Sequence, residues 1–311
     1  MRRRSMAGRG RSPTPPAEPA PPVAVMTAAG SGWRTAGGTI SLRRPCVMGI
    51  LNVTPDSFSD GGRFAVRDEA LRQAERMKEE GADLIDVGGE STRPGADEVS
   101  VDEEVSRVIP VIEALRGLRP LSIDTRKAAV AEAALRAGAT VVNDVSGLAD
   151  PGMADVVARH RAGVVIMHMR GVPATMRDHT GYADLVREVR EFLAARLEGA
   201  IAAGIEREHI VLDPGVGFAK TAEQSIRILG ELPAIVSLGQ PVLIGPSRKS
   251  FLATMGGGAA LEERLPGTIG ACVAALSLGA RIFRVHDVAE VRRALDVAEA
   301  ILHRSNSNQR G

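Results

Sequence analysis

Residues 121–147 read LSIDTRKAAVAEAALRAGATVVNDVSG, and one structural repeat is legible in them. The apolar run Leu121–Ile123 ends in Asp124. A helical pattern follows from Lys127 to Ala137. A second apolar run, Thr140–Asn143, ends in Asn143-Asp144. Short apolar strands separated by a helix, each closed by a polar residue, form the unit of a parallel sheet covered by helices.

Working outward, the same rhythm recurs. Val47–Val53 precedes a glycine-rich loop and a helical pattern over Asp68–Glu80, and Leu84–Val87 precedes a helix over Val101–Leu115. After the quoted unit come a short helix near Met153–His160 and the run Gly163–Met167. A long helix near Tyr182–Ala203 carries Leu185, Val189, Phe192, Leu193 and Leu197. Ile210–Leu212, Val242–Ile244 and Arg281–Val285 then alternate with helices near Glu223–Leu232, Thr268–Leu278 and Val288–Leu302. Eight such units in about 265 residues predict an α/β fold, a closed (β/α)8 barrel. An open doubly wound sheet is the alternative, but no sequence is left over for a second domain. A short β element at Thr39–Leu42, after the Gly37-Gly38 turn, precedes the barrel. The expected organisation is an Arg/Pro-rich disordered tail over 1–30, one barrel domain over 31–303 and a frayed end over 304–311. The tail holds five Arg and six Pro with no period of 2 or 3.6, and cannot offset its ordering entropy.

Composition excludes several classes. The chain has 311 residues, 44% hydrophobic and 25% charged, with a formal net charge of +1. That is neither an acidic solvating chain nor a strongly basic nucleic-acid binder. Aromatics are 3%, too few for stacking single-stranded bases. The two cysteines, Cys46 and Cys272, define no metal pattern and no disulfide framework. A reducing, cytoplasmic setting is expected. No run reaches the roughly 18–20 apolar residues of a membrane helix.

Polar residues cluster just after the strands: Asn52, Gly88-Gly89-Glu90, Asp124, Asn143-Asp144, His168, Asp213, Lys249 and His286. In a barrel these ends form one rim, where active sites are built. Asp124, Asn143, Asp213 and Lys249 suit a flat heterocycle with amidine and amide edges, because a carboxylate accepts two parallel N–H bonds. Thr92, Arg93, Arg284 and His286 form an anion-binding set. Asn52 adds an oxygen ligand, which suits Mg²⁺ held mainly by phosphate oxygens and water. Gly245-Pro246-Ser247-Arg248-Lys249-Ser250 lacks the Walker spacing, so nucleotide hydrolysis is disfavoured. His168 is expected to hold the end of the fifth strand. Lys220 and Arg248 could equally be plain surface residues.

The motifs also carry a resemblance. Met48-Gly49-Ile50-Leu51-Asn52-Val53-Thr54-Pro55-Asp56-Ser57-Phe58-Ser59-Asp60-Gly61-Gly62 and Asp86-Val87-Gly88-Gly89-Glu90-Ser91-Thr92-Arg93-Pro94-Gly95 are followed by five more in order. These are Ser122–Thr125, Asn143–Gly147, Leu212–Phe218, Ser247–Ser250 and Arg284–Asp287. Over about 34–303 the chain resembles the dihydropteroate synthases, pterin-binding barrel enzymes of folate biosynthesis and the targets of sulfonamides. The resemblance implies Mg²⁺-dependent transfer of a dihydropterin methyl group from its diphosphate to p-aminobenzoate. It implies that Asp124, Asn143, Asp213 and Lys249 grip the pterin, with Met167 and Phe218 as apolar walls. Asn52, Thr92, Arg284 and His286 would take the pyrophosphate, with Mg²⁺ near Asn52. The Phe58 loop and the Arg93-Pro94 loop would be mobile covers that complete the p-aminobenzoate site. Lys249 and Ser250 would lie beside that substrate. Asp124, Asp213, Lys249, Arg93 and Phe58 are the expected catalytic residues.

A homodimer is implied too, for which Ile269, Val273 and Leu276 share a helix face. No specific nucleic-acid or membrane partner is expected. Where the family commonly carries a His-Asn pair, this chain has Gln224 and Ser225, expected to alter loop anchoring rather than chemistry. Two rival readings are a non-catalytic pterin-binding barrel and a methyltetrahydrofolate methyltransferase. The anion set at Thr92, Arg284 and His286 argues against the second.

Overall fold

In the computed structural model the described residues are 32–54, 63–254 and 260–307. The expected tail, the Phe58 loop and the last four residues lie outside them. A hairpin opens the fold, β1 (Gly32–Thr35) paired antiparallel with β2 (Gly38–Ser41). The barrel strands are β3 (Cys46–Asn52), β4 (Leu84–Gly88), β5 (Leu121–Asp124), β6 (Val141–Asp144), β7 (Gly163–Met167), β8 (Ile210–Asp213), β9 (Leu243–Ile244) and β10 (Ile282–Val285). The interleaved helices are α1 (Arg63–Glu79), α2 (Val101–Leu115), α3 (Ala128–Ala137), α4 (Met153–His160), α5 (Leu185–Ala202), α6 (Ala222–Gly230), α7 (Pro233–Val236), α8 (Ser250–Ala253), α9 (Leu265–Ser277) and α10 (Val288–Ser307).

All eight barrel strands are parallel, in the order β8-β7-β6-β5-β4-β3-β10-β9. A parallel bridge between Leu212 and Val242 joins the two outer strands. Leu212 N–H donates to the Pro241 carbonyl at 3.0 Å, beside that bridge. The sheet is closed, and the open-sheet alternative is set aside.

Strand ends differ from the sequence expectation in one direction. Gly88, Asp124, Asp144 and Asp213 belong to strands, although polarity marked three of them as loop. Each still pairs with its neighbour, as in Gly88 with Asp124 and Met167 with Asp213. Asp124 and Asp213 turn into a polar pocket inside the barrel, and Asp144 turns outward to accept the Ser146 and Leu148 backbone N–H groups, so none of the three ends its strand. The last helix runs to Ser307, into the stretch expected to fray.

Among the described residues the core has three clusters, two of which frame the barrel. One is the shell between strands and helices, including Val47, Ile85, Ile123, Leu193 and Phe283. The other is the barrel floor, where Met48, Leu84, Val141, Val165, Val211, Leu243 and Ile282 meet Trp33, Ile40 and Leu42 of the hairpin segment. Trp33 is fully buried, and its indole N–H donates to the His209 carbonyl at 2.8 Å. The hairpin is therefore a plug: it gives an apolar bottom to a barrel whose other end is polar. Trp33→Ala is expected to lose about 3–5 kcal/mol in urea unfolding, the usual result of emptying an aromatic core site. A loss under about 1 kcal/mol would show that the plug is dispensable.

Candidate functional site

Alternate residues of a strand face the barrel interior. Register then stacks two layers. Below is the apolar floor. Above it the inward positions change character: Asp86 on β4, Ser122 and Asp124 on β5, Asn143 on β6, Met167 on β7, Asp213 on β8 and Arg284 on β10. Asp86, Asp124, Asn143, Met167 and Asp213 are buried.

These groups form one network. The Arg284 guanidinium donates through Nε to Asp86 Oδ2 and through a terminal nitrogen to Asp124 Oδ2, both at 2.6 Å. Asn143 Nδ2 donates to the same Asp86 oxygen at 2.9 Å. Asp86 Oδ1 and Asp124 Oδ1 are buried with no protein partner. Such orphaned acceptors are costly unless a ligand or water meets them. Asn52 Oδ1 and the Asp124 side chain both approach Gly88, at 3.7 and 3.6 Å from where a Cβ would stand there.

A loop completes the pocket. Asp213 Oδ1 accepts the Gly215 N–H at 2.7 Å, which starts a tight turn. Gly215 has φ +68°, and a Cβ there would fall 2.0 Å from the His168 carbonyl oxygen, so only glycine fits. Lys249 lies over the Phe218 ring, 4.1 Å from its centroid, and donates to the Val216 carbonyl. Phe218 packs against Val145, Met167, Met169, Met176 and Ala219. His286 Nδ1 lies 3.0 Å from Ser247 Oγ, which also takes the His286 backbone N–H at 3.1 Å.

Burial sets the electrostatics. Asp124 is pushed up to about 7 by desolvation, against the pull of Arg284. Asp213 is likewise raised by burial and opposed by Lys249. Lys249 is pulled down to about 7 by burial, with Asp213 acting the other way. Two carboxylates and one amine thus titrate away from their ordinary ranges within one pocket, which marks a functional site.

The expected pterin set, Asp124, Asn143, Asp213, Lys249, Met167 and Phe218, converges on this pocket. Thr92 is half-buried, whereas Arg93, Pro94 and Ser250 are exposed at the mouth. Arg93 is close enough to His286 to influence its charge. Arg284, expected among the anion-binding groups, is held by the carboxylates of Asp86 and Asp124. Pro94, Ser250, Gly217 and Thr221 also line a cavity of about 340 Å³ beside the pocket.

Three residues escaped the sequence reading. Asp86 stood inside a quoted motif but had no role, because only register shows that it faces Arg284. Ser247 is the partner of His286. Lys220 is not a surface residue: it is 8% exposed. Its Nζ lies 3.0 Å from His168 Nδ1 and donates to the Gly215 carbonyl at 3.0 Å and the Phe218 carbonyl at 3.1 Å. Burial pulls it down to about 7. Arg248 is half-buried, with a bidentate bond to Asp287. Among the dimer candidates, Leu276 is buried in the barrel's own shell. Gln224 and Ser225 anchor loops: Gln224 closes a capping box with Thr221 and donates to the Thr180 carbonyl, and Ser225 Oγ accepts the Gly217 N–H.

Among the described residues no group of three or more His, Cys, Asp or Glu could hold a metal. The Asn52 side-chain amide, whose Oδ1 stands beside Gly88 at the strand end, suits a hard cation that keeps most of its shell from phosphate and water. Among the described residues no helix is long and apolar enough to cross a membrane.

The family model described as "Pterin binding enzyme" matches residues 48–286. A dihydropteroate synthase of Synechocystis is 50% identical over 262 residues, 83% of this chain and 91% of that protein. The structure of Xanthomonas albilineans dihydropteroate synthase with 4-aminobenzoic acid superposes with a TM-score of 0.83 at 46% identity, covering 88% of this chain and 99% of that one. The same organism's enzyme in complex with 7,8-dihydropteroate gives 0.79 at 43%, covering 87% and 98%.

The pocket's electrostatics can be tested through stability. Burial, helped by the Arg284 charge, holds His286 down at about 4. An unfolded histidine titrates near 6.5. Between those values the unfolded chain binds a proton that the folded one refuses, so stability falls as pH drops through the window. His286→Gln is expected to lose about 2 kcal/mol less than the wild type between pH 7 and pH 5 in urea unfolding. Equal losses in the two proteins would show that the imidazole is not held neutral.

Proposed function

The chain belongs to the pterin-binding enzyme family, among the dihydropteroate synthases, and we propose that it joins 6-hydroxymethyl-7,8-dihydropterin diphosphate to p-aminobenzoate, releasing pyrophosphate. The observation that carries this is the polar layer itself: Asp124, Asn143, Asp213 and Lys249 meet above a closed apolar floor, with Arg284 spanning two carboxylates. Such a layer accepts the N–H edge of a pterin and leaves its hydroxymethyl arm directed to the rim.

Asp213 and Asn143 take the pyrimidine edge, and Asp124, with its unpartnered oxygen, accepts a further ring N–H. Met167 and Phe218 pack on the ring. The carbon–oxygen bond to the diphosphate breaks first, and its electron pair leaves with pyrophosphate. The carbon left behind is a methylene cation delocalised into the ring. Asp124 and Asp213 offset that charge in a site sheltered from water, where fixed charges act most strongly. The p-aminobenzoate nitrogen then donates its lone pair to the carbon, and the new ammonium loses a proton. Arg93, Pro94 and Ser250 at the mouth would receive the aminobenzoate, with the Phe58 loop, outside the described residues, as the second cover. Arg284, Thr92 and His286 would meet the pyrophosphate. No covalent enzyme intermediate is required.

Asn52 would hold Mg²⁺, in a place that suits a hard cation with one amide ligand. When bound, the ion supplies positive charge to the departing pyrophosphate. The buried free thiols of Cys46 and Cys272 support a cytoplasmic setting. A homodimer is supported by the exposed Val297 and Ile301, four residues apart on α10, which packs against α9. Sedimentation showing a monomer at micromolar concentration would remove that part.

The test is mass detection of dihydropteroate from purified protein, both substrates and Mg²⁺. Product that requires both substrates is expected. Asp213→Asn and Lys249→Ala should each lose roughly 10²-fold or more in turnover, as for other groups that stabilise developing charge, with unfolding curves close to the wild type. Unchanged turnover and pterin affinity in both variants would reject the assignment.

A further inference from the structure

Residues 214–219 run from strand end to helix with almost no backbone ladder. In a loop of this kind the carbonyls need other partners. Here four of them are taken by side-chain donors. Gly215 and Phe218 carbonyls accept from Lys220 Nζ at 3.0 and 3.1 Å. The Val216 carbonyl accepts from Lys249, and the Ala219 carbonyl accepts from the Tyr182 hydroxyl at 2.9 Å. The Gly217 N–H is held by Ser225 Oγ at 3.1 Å.

The backbone is unusual as well. Gly215, Gly217 and Ala219 all have positive φ, at +68°, +76° and +47°. Ala219 pays for a conformation that L residues avoid. Something must hold it there. The donors that do so come from two sides. Lys249 reaches over the loop from the start of α8 and stacks on Phe218. Lys220 lies beneath, 3.0 Å from His168 Nδ1 at the end of β7. His168 is itself fixed, 2% exposed, edge-on to Phe192 at 4.9 Å, with its backbone N–H on the Asp213 carbonyl at 2.9 Å. The third contact of the ammonium is an imidazole nitrogen, so Nδ1 is the acceptor and His168 carries its proton on Nε2.

From this geometry we propose that Lys220 is a positioning residue for the pterin: it ties the carbonyls on either side of the 216–217 turn to His168, and so fixes Asp213 and Phe218 in the pterin-gripping arrangement. Tyr182 and Ser225 complete the tie. Lys220 does not act on the reacting atoms. Its three hydrogens are directed at His168 Nδ1 and two loop carbonyls, which leaves none for substrate. This role presupposes the pterin site proposed above.

The readouts separate the two claims. Hydrogen–deuterium exchange over 213–221 in the substrate-free protein reports the tie without any substrate. Steady-state kinetics with each substrate varied reports its consequence. In Lys220→Met, exchange over 213–221 is expected to rise at least tenfold while β5 and β6 keep wild-type protection. The KM for the pterin diphosphate should rise at least tenfold, with the KM for p-aminobenzoate within about twofold of wild type. Tyr182→Phe, which removes one hydroxyl at the loop's far end, should shift both readouts the same way by a smaller factor, and it carries the test if Lys220→Met does not fold. Unchanged loop exchange and unchanged pterin KM would overturn the proposal. So would a fall in kcat alone, which would place Lys220 in the chemistry, or faster exchange across the whole barrel, which would make it an ordinary core group. A wild-type protein that binds no pterin overturns the proposal together with the site reading. The loop's exchange response then shows whether the tie itself was read correctly.

Discussion

One guanidinium lies between two buried carboxylates inside the barrel. Asp86 and Asp124 stand on the neighbouring strands β4 and β5 in the upper layer, and Arg284 bonds both at 2.6 Å. Two carboxylates buried side by side repel each other. The single positive charge lets both stand in a sheltered pocket, and Asn143 is oriented by the same Asp86 oxygen. Removing Arg284 would leave charges buried without a partner, a costly outcome in any fold. The three strands that carry these residues, and β6 beside them, are tied together at the level where a ligand would sit.

The rest of the molecule makes that layer possible. The hairpin with Trp33 closes the opposite end with apolar side chains. The apolar floor beneath Asp86 and Asp213 has no polar group to offer them, which is why burial drives Asp213 upward. Beyond the layer the structure loosens into loops. Glu90 anchors the loop carrying Thr92 and Arg93 through Lys127, Arg126 and the Val99 N–H. Arg248, at φ +56° and bonded to Asp287, fixes the turn that presents Lys249. Ion pairs of this kind, partly buried and multiply bonded, are the ones that keep a site rigid enough for chemistry.

Much of this was legible in the sequence because the barrel repeats one pattern. Val101–Leu115, Met153–His160 and Gly163–Met167 match the structure to the residue. Asp124, Asn143 and Asp213 stood out because a polar residue closes an apolar run. The same rule ended those strands one residue early, since a buried carboxylate at a strand end looks like loop when only polarity is read. Asp86 was hidden for the converse reason. It sits in mid-strand, and nothing along the chain reveals that Arg284, 198 residues away, faces it. Lys220 follows Phe218 in a polar stretch that reads as surface, and only the fold brings His168 over it. Leu276 shared a plausible interface pattern with Ile269 and Val273, yet a helix on a barrel spends such residues on the barrel first.

The most direct measurement is a crystal structure of the protein with the pterin diphosphate bound. The ring should lie in the upper layer, its N–H edge on Asp213, Asn143 and Asp124 and its faces on Met167 and Phe218, with the diphosphate at the rim near Arg284 and His286. A ring seated instead in the neighbouring cavity by Thr221 and Ser250, with the carboxylate layer still closed around Arg284, would contradict the assignment of that layer as the pterin site.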